Sequence, residues 1–577
     1  MTRRRDPDFG LDEALRDPGF TPRKGDIPAL LDKLCGADEA LSDLARRALL
    51  RAGPPAALAA AERTKTASVE ARRRLTSLIG RAATASPELR AVLVEALGDP
   101  DPKTRAAAAN ALGKIHLPEV EDALVEALKG EKASGARRSI IEALGKVGGS
   151  RSLEALERLG ASTEASKPSD LQGSSSTDRL EHARSRAALI VARTLGRETS
   201  SAFDPTRSPP SPIPLVLRCR RGLEEILRGE LDPALAPRVV LDNISGLRVE
   251  VSLSSAPDRL LKARTLLSIG FPLADRPIKS ADDAIPALID ALSSEQAALL
   301  LTRFTAGRPR YRIAWARGGK RRAAVWRVAE EVSRRRPELV NDPTDSAWQA
   351  VVYEGPTLVR VELVPRWDDQ RFAYRRGDVP AASHPTIAAA LVRVAGARTD
   401  DLVWDPFVGS GLELCERAIA GDYLALIGSD RDAAALEVAR ENLAAAGASK
   451  VELHRLDARD RPPFKARPTL IITNPPLGRR VHRSADLGEL LDRFLERAAE
   501  VLAPGGRLVW VSPFPERTAR KAASLGLDLW FSQLVDMGGF DAQIQAFGKG
   551  KRKKAPEPFE RRGGPKLRSG PRSGADF

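Results

Sequence analysis

The segment LIITNPPLGRR, residues 470–480, runs from a β-branched apolar stretch into Asn474, Pro475, Pro476 and Leu477, and then Arg479. Such a stretch reads as a buried parallel strand, because β-branched side chains suit a covered, pleated surface. The prolines end it, since neither donates to a ladder and each fixes its own φ. A stiff turn then presents the Asn474 side chain and nearby carbonyls. Other predicted strand ends carry polar residues too. Asp405 opens DPFVGSG, in which Gly409 and Gly411 bracket a tight turn; YLALIGSD ends at Asp430; VELHRLDARD reaches Asp457. Glycines at that turn let a ligand approach the backbone and the free N–H groups of the following helix. No third glycine of the dinucleotide fingerprint follows, which argues for a smaller nucleoside cofactor. Asp430 is placed to accept from a ribose diol, and Asp457 from the exocyclic amine of an adenine.

Elements able to gather these residues are legible from about Ser383 onward. The order is strand, glycine loop, helix, strand, helix, strand, which is the pattern of a doubly wound sheet. In such sheets ligands lie outside the carboxyl ends of the strands, where all four polar sites fall. LAPGGRLVWVS, residues 502–512, reads as a glycine turn feeding a late strand of the same sheet.

DPFVGSG, GSD, LDARD and TNPPLG in this order resemble S-adenosylmethionine-dependent methyltransferases acting on exocyclic amines of nucleobases. The match extends to the THUMP-domain RNA methyltransferases, through FAYRRGDVPAASHPTIAAALV at residues 372–392 and a GLEEIL helix at residues 222–227. The resemblance covers about residues 213–535. It implies S-adenosylmethionine as cofactor, RNA (tRNA or rRNA) as partner, and guanine N2 as the favoured target. Spacing and resemblance together assign Asn474, Pro475 and Pro476 to catalysis. They assign Asp405, Phe407, Gly409, Ser410, Gly411, Asp430, Asp457, Ala458 and Thr386 to the cofactor, and Leu477, Arg479, Arg375 and Arg376 to the substrate.

The chemistry this implies is acceptor catalysis. An exocyclic amine is a poor nucleophile because its lone pair is delocalised into the ring. Acceptors at the Asn474 side chain and the Pro475 carbonyl pull the nitrogen toward a tetrahedral form as positive charge develops. The resemblance also implies a flipped base stacked on an aromatic residue after NPP. Here that residue is Leu477, so roughly 1 to 3 kcal/mol of stacking is missing unless Phe407, another aromatic or Arg479 supplies a plane.

The rest of the 577-residue chain is too long for one core. Lys plus Arg at 92 against Asp plus Glu at 77 gives a formal charge of +15, which favours polyanionic partners. Cys35, Cys219 and Cys415 are far apart and fit no disulfide framework or zinc pattern, so a reducing cytoplasm is expected. His384, His454 and His482 lack partners at ligand spacing, and no metal is assigned. No apolar run approaches a membrane span and the N-terminus has no apolar leader core, so neither membrane insertion nor export is expected.

RRALLRAG, RRLTSLIGRA, ANALGKI and IEALGKV recur at about 30 residues in the first third. Each copy reads as a helix pair that must stack on its neighbours, resembling short HEAT-type repeats. The predicted organisation is an N-terminal extension (1–26) and an α-helical HEAT-like solenoid (27–200) with a Ser-rich insertion (161–180). A Pro/Ser linker (201–212), an α+β THUMP-like module (213–370), an α/β Rossmann-like methyltransferase domain (371–548) and a basic tail (549–577) follow. In the module, DRLLKARTLLSIG is expected as a helix, and Arg321, Arg322, Arg327, Arg334, Arg335 and Arg336 as a phosphate-facing surface. The repeats suit a protein partner or RNA, and their residues do not choose. Two other functions stay open: an adenine-N6 methyltransferase of DNA or RNA, since the same acceptors serve either amine, and a catalytically weak RNA-binding scaffold.

Overall fold

The structure, a computed structural model, describes residues 10–17, 19–80, 82–164, 177–319, 321–380, 382–462, 466–478 and 484–550. Arg479, the basic tail beyond residue 550 and most of the Ser-rich insertion lie outside the described residues. The chain divides into two compact units, one of residues 1–201, 307–311 and 321–345, the other of residues 202–306, 312–320 and 346–577.

The first unit is a stack of helices with plain local causes. Ser68, Ser86 and Asp101 each accept a backbone N–H at a helix start, and Pro87 and Pro102 occupy the first helical position, where no donor is needed. The helices Val69–Ile79, Pro102–Leu112, Ser134–Val147 and Thr177–Gly196 pack in succession. Small residues set their spacing. A Cβ on Gly80 would lie 2.7 Å from Ala111 Cβ, one on Gly113 3.0 Å from Ala143 Cβ, and one on Gly145 2.8 Å from Ala187 Cβ. The same glycine-to-alanine contact thus recurs at each repeat, which explains the LGK recurrence. Arg72 to Asp99 at 2.8 Å and Arg105 to Glu131 at 2.6 Å recur likewise. Leu15 and Phe20 of the N-terminal extension are buried in this core.

Helix Arg322–Arg335 belongs to the same unit. Arg334 and Arg335 both pair with Glu331 at 2.7 Å, so part of the expected phosphate-facing surface is already neutralised.

The second unit begins with an antiparallel sheet. Ile213–Arg218 pairs with Gly246–Leu253 and Ser268–Pro272, and Leu358–Pro365 joins the latter to Trp348–Glu354. The segment DRLLKARTLLSIG is not the expected helix. It forms a 3-10 turn at Pro257–Lys262 and then the strand Ser268–Pro272. Two bonds from a distant element oppose the helix: the Glu230 carboxylate takes both the Thr265 N–H and its hydroxyl, at 3.0 and 2.6 Å. Residues 201–212, read as a linker, carry Phe203, whose ring meets Trp348 at 5.4 Å and Phe271 at 6.4 Å in the core. A single apolar residue among prolines gives no periodic signal, so composition alone hides it.

The same unit ends in a 7-stranded sheet. Its strands are β1 (Leu402–Asp405), β2 (Ala425–Asp430), β3 (Val451–Arg455), β4 (Leu470–Thr473), β5 (Arg507–Ser512), β6 (Leu527–Asp536) and β7 (Asp541–Lys549). The order is β3-β2-β1-β4-β5-β7-β6, parallel from β3 to β5, with β7 antiparallel to both β5 and β6. Helices α1 (Pro385–Ala395), α2 (Leu412–Ile419), α3 (Ala433–Ala445), α4 (Ser484–Val501) and α5 (Pro515–Ser524) accompany it. Near the strands' amino ends Asp401 is fully buried between Arg417 at 2.9 Å and Arg507 at 2.8 Å, a paired and structural arrangement. The two parts of this unit are tied together. Gly222, at φ 96°, sits where a Cβ would be 1.9 Å from the Leu534 carbonyl oxygen, and Arg264 donates to Glu416 at 2.8 Å.

Among the described residues no single helix is long and apolar enough to cross a membrane.

Candidate active site

The parallel register brings the predicted residues to one edge. Asp405 ends β1, Asp430 ends β2, Asp457 lies just past β3, and Asn474 follows Thr473 at the end of β4. Thr473 Oγ1 donates to Asp405 Oδ1 at 2.6 Å, which fastens β4 to β1 at this edge. The Gly409 N–H donates to Asp430 Oδ2 at 3.0 Å, which fastens the glycine turn to β2.

The turn needs its glycines. Gly409 and Gly411 have φ of 48° and 79°, and a Cβ on Gly411 would meet Ala439 Cβ of α3 at 3.2 Å. Ser410 is buried, and its carbonyl accepts from Asn442 Nδ2 at 2.8 Å. The Asn442 oxygen accepts from the N–H groups of Arg376 and Gly377 at 2.7 and 3.0 Å. This buried asparagine on α3 thus holds the turn and the segment before α1 in one frame.

Asp405 is fully buried. Its Oδ1 is used by Thr473 and by the Phe407 N–H at 3.1 Å, while its Oδ2 has no hydrogen-bond partner among the described residues. Burial, reinforced by the Glu413 charge, holds its carboxyl well above the usual carboxylate range. An acceptor in that condition is suited to a cation. Asp430 is half-buried, and each oxygen accepts one backbone N–H, leaving lone pairs at the edge. Asp457 is gripped by Arg459 through two bonds at 2.8 Å, and the guanidinium holds its carboxyl below the usual range. Ala458 beside it is buried.

Asn474 is the centre of the arrangement. Its Nδ2 donates to Ser383 Oγ at 2.7 Å, and Ser383 Oγ donates to Glu413 Oε1 at 2.5 Å. A serine has one hydroxyl proton, and here it is donated in the hydrogen bond to the Glu413 carboxylate. Only lone pairs face Asn474, so the amide is fixed with nitrogen toward Ser383 and oxygen away. Asn474 Oδ1 is buried and has no hydrogen-bond partner among the described residues. Buried acceptors are nearly always satisfied, so an orphan held in place by a two-bond chain is a position that a ligand donor could fill. Glu413 lies in the first turn of α2, directly after the glycine turn, and burial pushes its carboxyl up to about 7 against the pull of the Ser383 hydroxyl.

The remaining residues are placed as follows. Pro475 is buried and Pro476 exposed. Leu477 is half-buried and packs on the core that contains Val408 and Leu412. The Phe407 ring meets Phe494 edge-on at 5.4 Å. Thr386 is buried near the start of α1, where its hydroxyl lies 2.8 Å from His384 Nδ1. Burial, with Arg220 and Arg375 nearby, lowers His384 to about 4, so the ring is neutral at physiological pH. Arg375 pairs with Asp378, and Arg376 is exposed.

Ser383, Glu413, Asn442 and Thr473 do not figure among the site residues read from the sequence. Glu413 had a visible signal, a carboxylate between two leucines right after a glycine turn. Ser383 and Asn442 had none, because their roles exist only across elements distant in the chain.

Residues 373–524 match the model of the RMKL-like methyltransferase domain. This part of the chain is a methyltransferase domain. Residues 54–144 and 90–167 match the model of HEAT repeats. A tRNA (guanine(6)-N2)-methyltransferase of Thermus thermophilus is 36% identical over 182 residues, which is 31% of this chain and 53% of that protein. A tRNA (guanine(10)-N2)-dimethyltransferase of Methanothermobacter thermautotrophicus is 33% identical over 135 residues, 23% of this chain and 39% of that protein. The chain spans about half the length of the curated relatives it matches, 53% and 57% in two cases. The crystal structure of TrmN from Thermus thermophilus aligns at 27% identity over 58% of this chain and 99% of that one, with a TM-score of 0.48.

Proposed function

We propose that the chain uses S-adenosylmethionine to methylate an exocyclic amine of tRNA, guanine N2 in preference to adenine N6. The observation that carries this is the orphaned Asn474 Oδ1, fixed by Ser383 and Glu413 at the edge where Asp405 and Asp430 gather. The relatives named for guanine N2 favour guanine, since the acceptor geometry alone serves both amines.

The residues fit the cofactor. Asp405 Oδ2 is a buried acceptor lacking a partner, suited to the cationic amino group, and its carboxyl ionises once that charge arrives. Asp430 accepts from the ribose hydroxyls, Asp457 and Ala458 flank the adenine, and Phe407, Gly409, Ser410, Gly411 and Thr386 complete the walls. S-adenosylmethionine, when bound, supplies an electrophilic methyl group. Asn474 Oδ1 and the Pro475 carbonyl accept the two N–H bonds of the target amine, which concentrates its lone pair on nitrogen for attack. Removing one such preorganised group typically costs 10²–10³ in rate. The nitrogen sheds a proton to solvent after the new N–C bond has formed, so no general base is required.

Residues 213–370 act as a THUMP-like capture module, and Leu477, Arg375, Arg376 and Arg479 contact the RNA around the target base. The free thiols of Cys35, Cys219 and Cys415 support a cytoplasmic setting. The test is nucleoside mass spectrometry of a tRNA transcript pool incubated with the protein and isotope-labelled cofactor. Labelled N2-methylguanosine supports the reading, and label in N6-methyladenosine alone, or in DNA and not RNA, overturns it.

A further inference from the structure

The successive helices Val69–Ile79, Pro102–Leu112, Ser134–Val147 and Thr177–Gly196 leave two grooves on the first unit. One, of about 390 Å³, is lined by Arg46, Arg73, Arg74 and Lys103 over a floor that includes Ala106 and Ala107. The other, of about 550 Å³, is lined by Arg138, Lys146 and Arg186 over Gly145, Ala183 and Ala187. Among the described residues their only acidic lining residue is Glu142, which pairs with Arg138 at 2.8 Å.

Several of these cations are not used by the fold. Lys103 and Lys146 are exposed and make no ion pair among the described residues. Arg186 is also exposed, its guanidinium 5.0 Å from the Trp326 ring centroid, with Arg193 stacked on the same ring at 4.6 Å. The other cations of the first groove have partners: Arg46 pairs with Asp43 at 2.7 Å, and Arg73 and Arg74 each lie 3.6 Å from Glu70. Helix Pro118–Gly130 carries Glu119 and Glu121 in its first turn, and its Lys129 pairs with Glu126 at 2.6 Å. Lys103, Lys146 and Arg186, which make no ion pair among the described residues, stand along this row above a floor of small residues and repel one another in the free protein. A polyanion relieves that repulsion and gains counterion release. The alanine and glycine floor lets a phosphate backbone lie close, where larger side chains would hold it off.

We propose that this helix row is an RNA-backbone surface, on which the repeats hold a duplex arm of the substrate by its phosphates. The inference rests on the reading above that the substrate is RNA, and it commits the repeats to RNA in place of a protein partner. Phosphate contacts of this kind position a nucleic acid without reading its sequence, which leaves target choice to the methyltransferase end.

The test uses the full-length protein and a tRNA transcript, with binding followed by anisotropy across a salt series. The variant R73Q/K103Q/K146Q/R186Q is compared with K129Q/K132Q/R151Q/R158Q, which removes as many cations from elsewhere in the stack. The groove variant is expected to bind ten- to a hundredfold more weakly near 0.1 M salt, with a log Kd against log salt slope flatter by about 3. The control variant and K103R/K146R are expected to bind as the parent does. Equal losses in the groove and control variants, or full tRNA affinity in the groove variant, overturn the proposal; the latter leaves the face to a protein. Methyl transfer is not read here, so a parent that binds tRNA but never methylates it sinks the proposed function and leaves this comparison intact.

Discussion

Asn474 Nδ2 donates to Ser383 Oγ at 2.7 Å, joining a turn after β4 to a residue that precedes α1 by two positions. The bond is informative because the Ser383 hydroxyl already donates its one hydrogen bond to Glu413. Which end of the Asn474 amide faces the substrate therefore follows from a carboxylate on a third element.

Ser383→Ala removes the only partner that Asn474 Nδ2 has among the described residues and lets the amide turn over. The turnover rate is expected to fall ten- to a hundredfold, about 1.4 to 3 kcal/mol, the range for a lost and unsatisfied hydrogen bond. Cofactor affinity by calorimetry should stay within about threefold, because Ser383 touches none of the cofactor carboxylates. A turnover rate unchanged in this variant removes Ser383 from the account.

Glu413 links activity and stability to pH in opposite directions. Ionised, it fixes the Ser383 hydroxyl; protonated, it becomes a donor itself and frees that rotor. The rate is therefore expected to fall as pH drops through about 7. Stability runs the other way. A carboxyl raised from an unfolded value of 4.5 to about 7 keeps a proton that the unfolded chain loses. Its stabilising contribution is complete below the unfolded value and is lost as pH rises toward 7. Glu413→Gln, whose amide oxygen accepts at any pH, should keep most activity, lose the acid limb of the rate profile, and gain Tm at pH 8 relative to the parent. Rate profiles and thermal melts between pH 5 and 8 read both effects.

Leu477→Tyr returns an aromatic plane to the position after NPP. A stacked base is worth roughly 1 to 3 kcal/mol, so KM for tRNA is expected to fall about tenfold. Steady-state kinetics with varied tRNA decides it, and a KM that does not move places the stacking plane elsewhere.

Much of the catalytic fold can be read from local chemistry. Asp405, Asp430 and Asn474 each sit where an apolar run stops, and a run's end is a local property. DRLLKARTLLSIG misleads because helical spacing competes with the Glu230 carboxylate, which captures Thr265 from a distant element. The β6 and β7 pair escaped the sequence reading, since β6 is only half-covered and its apolar spacing is irregular. Ser383 was invisible for a related reason. Its function depends on Glu413 and Asn474, 30 and 91 positions away, which meet only once the sheet has formed.

The most direct measurement is single-turnover methyl transfer to tRNA by Asn474→Ala, paired with calorimetry of cofactor binding to the same protein. With the acceptor gone and Asp405 and Asp430 untouched, transfer should slow by at least about 10²-fold while the cofactor Kd changes less than about threefold. Transfer at the parent rate by this variant would contradict the account at its centre.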